Sequence, residues 1–229
     1  QLDTGEWLFR DITFNLNSRL TGLVGRNGSG KSLLLSLLTG QTQPTSGSVS
    51  RQGSIGFYSQ LPSELLDSTI SIADFLGITN KINALHAIEQ GNCELQHFDI
   101  VGEDWDLQEN TQRLLANLKI TSELATPCNT LSGGQLALLQ LHQLFTSDHN
   151  ILILDEPSNH LDSDGRSWLI EQCQQFEGKI LMVSHDRSLL RHMGGIYHLN
   201  SLGLRFYKGN YDDYFKQMSN CLLYTSDAA

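Results

Sequence analysis

Eight consecutive residues, Gly25-Arg26-Asn27-Gly28-Ser29-Gly30-Lys31-Ser32, place three glycines ahead of a lysine and a hydroxyl. They stand between an apolar run, Leu20 to Val24, and a leucine-rich run, Leu33 to Leu38. A glycine-rich turn between a strand and a helix is a cradle for phosphate. Backbone N–H groups point into the turn, and the helix N-terminus adds about half a positive charge. The lysine then reaches the β- and γ-phosphates of a nucleotide, and the hydroxyl ligates Mg²⁺. Glycine suits Gly25, Gly28 and Gly30 because the chain must approach phosphate oxygens closely and adopt positive φ.

Two carboxylates complement the cradle. Ile151-Leu-Ile-Leu154 ends in Asp155-Glu156-Pro157, so adjacent acids stand at the end of a buried strand. Asp155 there positions Mg²⁺ and Glu156 polarises an attacking water. A further apolar run, Lys179 to Val183, ends in Ser184-His185-Asp186. His185 is placed to hydrogen-bond a γ-phosphate if its strand lies beside the phosphate strand. Leu131-Ser132-Gly133-Gly134-Gln135 opens another helical run, where first-turn amides offer a second anion site; the plainer reading is a Ser132 N-cap. Gln60, before Pro62, reads on its own as an exposed loop amide.

The elements that must hold these groups follow from hydrophobic periodicity. Leu8 to Leu16 alternates through Ile12, Phe14 and Leu16, as a half-buried strand does, and Arg19 to Val24 repeats the pattern. Pro44 to Gly47 is a turn, and Ser48 to Arg51 and Ser54 to Ser59 are expected to form two strands around Gly53. Between 61 and 130 the spacing turns helical, over Leu65 to Leu76, Ile82 to Ile88 and Leu107 to Leu118, with Thr79 and Asp106 as starts. That stretch is read as an inserted helical subdomain, with Trp105 as packing for a core or a helix start. Leu136 to Phe145 is a helix, and Asp162 or Ser163 caps another that runs through Trp168 to Phe176. Gly195 to Asn200 and Leu204 to Tyr207 are the last strands. The expected fold is α/β: a P-loop NTPase with a parallel core sheet, an antiparallel β subdomain and an inserted helical subdomain.

Composition narrows the class. With 229 residues and 39% apolar residues, the chain can bury a full core. No run approaches the roughly 18 apolar residues of a membrane helix, and no charged-then-apolar leader opens the sequence. Cys93, Cys128, Cys173 and Cys221 are scattered without metal-ligand spacing, which points to reduced thiols and a cytoplasmic protein. A formal charge of −10 excludes a broad nucleic-acid-binding face, because phosphate contacts need Lys and Arg.

The ordered set Gly25–Ser32, Gln60, Leu131–Gln135, Ile151–Pro157, Ser158–Asp162 and His185 resembles the nucleotide-binding domain of ATP-binding cassette (ABC) proteins, over about residues 8 to 215. Asp-Glu-Pro-Ser-Asn-His-Leu-Asp, Val-Ser-His-Asp-Arg and Gly-Asn-Tyr-Asp-Asp-Tyr are similar to the F-type (ABC-F) branch. Members of that branch carry two cassettes in one chain, lack a membrane domain and act on the ribosome in translation or antibiotic resistance. The resemblance implies ATP and Mg²⁺ as ligands. It implies phosphate binding by Lys31, Mg²⁺ held by Ser32, Gln60 and Asp155, Glu156 as catalytic base and His185 as the switch histidine. Ser132, Gly133, Gly134 and Gln135 would complete an ATP site held by an opposite cassette. The implied partners are that second cassette, in the same longer chain or a homodimer, and the ribosome and its RNA through segments outside this one, with no membrane.

Departures from the family pattern are specific. Leu138 stands where the signature helix usually carries Arg, Leu33 where Thr usually follows Ser32, and Ser158 where Thr is usual. Trp7 is the nearest candidate to stack on adenine. The cassette is expected over 1–218 with the helical subdomain at 61–130, while Cys221 to Ala229 reads as a non-native, adapter-derived tail, making this a truncated first cassette. The alternatives are a transporter's cytoplasmic ATPase subunit and a nucleotide-binding module that does not hydrolyse ATP alone.

Overall fold

The computed structural model describes residues 12–59 and 69–226, and side chains as far as 220. Two compact units divide the chain: residues 1–60 with 144–229, and residues 61–143. The first unit is built on one six-stranded sheet. In chain order its strands are β1 (Leu20–Gly25), β2 (Ile55–Tyr58), β3 (Ile151–Asp155), β4 (Lys179–Val183), β5 (Gly195–Asn200) and β6 (Gly203–Lys208), and in space they run β2-β3-β4-β1-β5-β6. Every pairing is parallel except β5 with β6. The continuous apolar runs explain the centre of this order: Leu152, Ile153 and Leu154 of β3 and Ile180 to Val183 of β4 are all buried, as strands of a sheet covered on both faces must be.

The register sets up the site. β3 aligns Asp155 with Val183 of β4, and β4 aligns Val183 with Leu23 of β1. The carboxyl ends of β1, β3 and β4 therefore fall together, where ligands bind in open parallel sheets. Helix α1 (Lys31–Thr39) closes one side by seating Leu34 and Leu35 among Leu23, Ile153, Leu181, Val183, Tyr197 and Leu199. At the other end of β1, the Arg19 guanidinium donates to the carbonyls of Gln174 and Phe176 at 2.9 and 2.6 Å. This ties down the last turn of the Ser163–Gln175 helix.

Several expectations meet the structure differently in the strand-rich first third. Residues 12–17 keep their alternation as burial but form no strand; Phe14 packs on Tyr197 at 4.7 Å, and Asn15 accepts from the Tyr197 hydroxyl at 2.7 Å. The earlier part of Leu8 to Leu16 lies outside the described residues. Ser48 to Arg51 is not a strand either. Its Arg51 is taken up instead in closing α1, donating to Leu37 and Leu38 carbonyls at 2.6 and 2.7 Å, which leaves a four-residue run without a pairing partner. Among the described residues, the antiparallel component is the β5–β6 pair on the edge of the main sheet.

The second unit is helical. It contains α2 (Ile72–Phe75), α3 (Thr79–Glu89), α4 (Leu95–Val101), α5 (Leu107–Asn117) and most of α6 (Gly133–Thr146). Ser71 and Asp74 form a reciprocal capping box on α2. The starts expected at Thr79 and Asp106 are found within one residue, whereas α4 carries no clear sequence signal. Trp105, read above as a packing side chain, is 49% exposed. The remaining helices belong to the first unit: α7 (Ser163–Gln175), α8 (Arg187–Leu190) and α9 (Tyr211–Ser226). Asn210 caps α9 by accepting from the Asp212 and Asp213 amides, so the Gly209-Asn-Tyr-Asp-Asp-Tyr run is a helix start in this fold.

Candidate functional site

The phosphate loop spans the end of β1 and the start of α1. Gly28 and Gly30 have φ of +78° and +91°, the left-handed region that glycine enters without penalty. Gly25 is constrained by space: a Cβ there would lie 2.6 Å from the Leu199 carbonyl oxygen and 2.9 Å from Ser29 Oγ. Gly30, the N-cap of α1, has no side chain with which to satisfy the first amides of the helix, so those donors are left without a side-chain cap. Lys31 folds back over the loop and donates from Nζ to the Gly25 carbonyl at 2.9 Å and the Arg26 carbonyl at 3.2 Å. Ser29 Oγ is buried without a hydrogen-bond partner.

Asp155 and Glu156 meet this loop from β3. Ser32 and Lys31 both lie close enough to Asp155 to favour its charged form; burial nonetheless holds the Asp155 carboxyl above the usual range. Glu156 has φ of +49°, uncommon for a residue with a side chain. Its amide donates to the Val183 carbonyl at 2.9 Å, which fixes this turn against the end of β4. Backbone strain of that kind persists only where the surroundings enforce it and clusters at functional sites.

The turn aims the Glu156 carboxylate at His185. The His185 amide donates to Oε2 at 3.4 Å, and His185 Nε2 stands 3.4 Å from Oε1. Oε1 is buried and has no aligned hydrogen-bond donor. Burial raises the Glu156 pKa, helped by the neighbouring Asp155, while His185 and Lys31 oppose the rise. The glutamate side chain is 17% exposed and the histidine 55%, so His185 stands at the open side of the cluster.

The segments on either side are anchored by caps. After Glu156, Asn159 donates its amide to the Glu156 carbonyl at 3.3 Å, Ser158 and Leu161 are buried, and Asp162 caps α7 by accepting from Gly165 at 2.8 Å. After His185, Asp186 caps α8 by accepting from the Ser188 amide at 2.8 Å. Asp186 also lies 3.4 Å from Arg166 of α7, a link between the two loops that sequence spacing gave no means of finding. Arg26 likewise acts on His198 of β5; burial and then this cation hold the imidazole pKa below its ordinary value.

The structure thus brings Gly25–Ser32, Asp155, Glu156 and His185 to one end of the sheet. Gln60 lies outside the described residues. Ser132, Gly133, Gly134 and Gln135 belong to the helical unit, where Ser132 and Gln135 cap α6 reciprocally: Ser132 N–H donates to Gln135 Oε1 at 3.0 Å and Gln135 N–H to Ser132 Oγ at 3.3 Å. Gln135 Nε2 also donates to the Lys119 carbonyl at 2.9 Å.

The donor set suits a Mg²⁺–polyphosphate. Ser32 and Asp155 offer hard oxygens beside Lys31, the orphaned Ser29 Oγ and the open amides of α1 want an anion, and excess carboxylate is desolvated nearby. Among the described residues no group of three or more His, Cys, Asp or Glu side chains could hold a metal by itself. A cation here would draw most of its ligands from phosphate and water, as Mg²⁺ does.

Residues 9–159 match the family model described as ABC transporter. The probable ATP-binding protein YheS of Escherichia coli K12 is 32% identical over 231 residues, covering 94% of this chain and 36% of that protein. An antibiotic resistance protein of Mycobacteroides abscessus is 31% identical over 216 residues, covering 85% of this chain and 39% of that protein. The chain therefore spans little more than a third of the length of these relatives. Among solved structures, a nucleotide-free ATP-binding cassette from an ABC transporter superposes with a TM-score of 0.64 at 18% identity, covering 93% of this chain and 89% of that one, a likeness of fold.

Proposed function

Since the chain belongs to the ABC family of P-loop ATPases and carries the sequence marks of its F-type branch, we propose that it hydrolyses Mg-ATP and couples cassette closure to an action on the ribosome in translation or antibiotic resistance. The observation that carries the chemistry is the Glu156–His185 pair beside Ser32–Asp155 at the carboxyl ends of β3, β4 and β1. The ribosomal part rests on the motif resemblance, and the mention of antibiotic resistance also on the name of the Mycobacteroides abscessus relative.

In this reading, the amides of 28–32 and the Lys31 ammonium hold the β- and γ-phosphates, with Lys31 exchanging its two carbonyl partners for phosphate oxygens. Ser32, Asp155 and Gln60 would hold Mg²⁺, which would supply neutralisation of the phosphate charge. Glu156 accepts the proton of the attacking water at the unpartnered Oε1, and its raised pKa makes it a better base than an exposed glutamate. His185 would donate from Nε2 to the γ-phosphate, while its backbone amide holds Glu156 Oε2. Ser132, Gly133 and Gly134 would contact ATP on the opposite cassette through the Gly133 and Gly134 amides and the Ser132 hydroxyl, since the Ser132 amide is taken by Gln135.

Two substitutions separate binding from chemistry. Glu156→Gln keeps the shape but loses the proton-accepting charge, so ATP affinity stays within about threefold while hydrolysis falls about 100-fold or more. Lys31→Ala weakens ATP binding itself. Equilibrium binding of a fluorescent ATP analogue alongside phosphate release reads both; a Glu156→Gln variant that turns over as fast as the parent overturns the assignment of the base.

A further inference from the structure

The helical unit carries an apolar surface that its own packing leaves open. α4 buries only Val101, which packs with Ala84 and Leu85. Leu95 is 81% exposed, Phe98 36%, Ile100 42% and, just beyond the helix, Trp105 49%. The Phe98 and Trp105 rings lie 5.9 Å apart, tilted by 54°, and Leu95 stands three residues before Phe98 on the same helix flank. Single apolar residues on a surface, such as Ile100, need no explanation, whereas two touching aromatic rings with Leu95 on the same flank mark a candidate binding surface.

The rim of this strip says what it would bind. Glu94, Asp99, Glu103, Asp104, Asp106 and Glu109 put six of the chain's 25 acidic residues between positions 94 and 109, a segment with no Lys or Arg. Lys81 pairs with Asp104 and Arg113 with Glu109; these are the only ion pairs of the segment among the described residues. The acids do not cluster with metal-holding geometry. Such a rim repels nucleic acid, anionic lipid and a second copy of itself, and it attracts a cationic partner.

We propose that α4 and the turn to Trp105 form a docking surface for a basic amphipathic segment of a partner protein. Apolar side chains of the segment sit on Leu95, Phe98 and Trp105, and its Lys and Arg side chains meet Glu103, Asp106 and Asp99. Trp105 is the expected anchor, since exposed tryptophans beside acidic side chains accept both apolar contact and a stacked guanidinium.

The test uses the whole chain and a fluorescein-labelled amphipathic helical peptide of leucine and lysine as probe. Its comparison ligands are a leucine–glutamate peptide of the same pattern and single-stranded oligouridylate. Fluorescence anisotropy should show binding of the leucine–lysine peptide alone, weakened about tenfold or more by F98S/W105S. E103Q/D106N should weaken it too and flatten its salt dependence. Both pairs of side chains are exposed, and ATP-analogue binding equal to the parent's verifies each variant's fold. Unchanged peptide affinity in both variants, binding of the leucine–glutamate peptide or of oligouridylate, or self-association of the parent chain that F98S/W105S abolishes would each overturn the proposal.

Discussion

At the scale of the residue, the site holds two carboxylates that the fold desolvates. Asp155 and Glu156 both have pKa values raised chiefly by burial, with Lys31 close to both. An acid whose folded pKa lies above its unfolded value stabilises the fold while protonated, and that contribution is lost as pH rises through the folded value. At neutral pH the two charges therefore cost the nucleotide-free protein stability, as active sites commonly do. Asp155→Asn keeps an acceptor for Ser32 and removes one charge, so it should raise the melting temperature at pH 7 by on the order of a few degrees. The gain should shrink as pH falls through the raised folded value toward the ordinary carboxylate range and vanish below it. Thermal melts of parent and variant across that interval, without nucleotide, measure it; a variant less stable than the parent at pH 7 contradicts it. At this scale the sequence was most legible, because Gly25, Gly28, Gly30, Lys31 and Ser32 act through local backbone geometry. The positive φ of Glu156 and the Arg166–Asp186 contact were hidden, since both depend on how distant segments meet.

At the scale of the element, strong local signals survived and weak ones did not. β3 and β4 are continuous apolar runs bounded by polar residues, and the structure keeps both. α7 begins where Asp162 and Ser163 offered two caps, and the Asp162 carboxylate is the one that accepts, from Gly165 at 2.8 Å. Asp162→Ala should therefore destabilise by about 1 kcal/mol in denaturant unfolding, whereas Ser163→Ala should change little; equal effects would contradict the assigned cap. Ser48 to Arg51 failed as a strand because its pattern was too short to compete with a long-range role for Arg51 at the end of α1. α4 escaped notice because its apolar residues are spread around the helix and only Val101 is buried. The same spread leaves Leu95, Phe98 and Ile100 on the surface.

At the scale of the whole molecule, the proposed chemistry asks for more than one cassette. The phosphate loop and the carboxylates lie in the α/β unit, and Ser132, Gly133 and Gly134 begin α6 in the helical unit. In the proposed mechanism these residues complete a site on another cassette, so a single chain offers two halves and no whole site. The charge of −10 opposes pairing of identical chains, more strongly at low salt, where screening is weak. The most direct measurement is phosphate release from Mg-ATP by this chain and by its Glu156→Gln variant over a wide range of protein concentration at moderate salt. The expected result is slow turnover per molecule that rises with concentration in the parent and is lost in the variant. Brisk turnover independent of concentration, or turnover that survives Glu156→Gln, would contradict it.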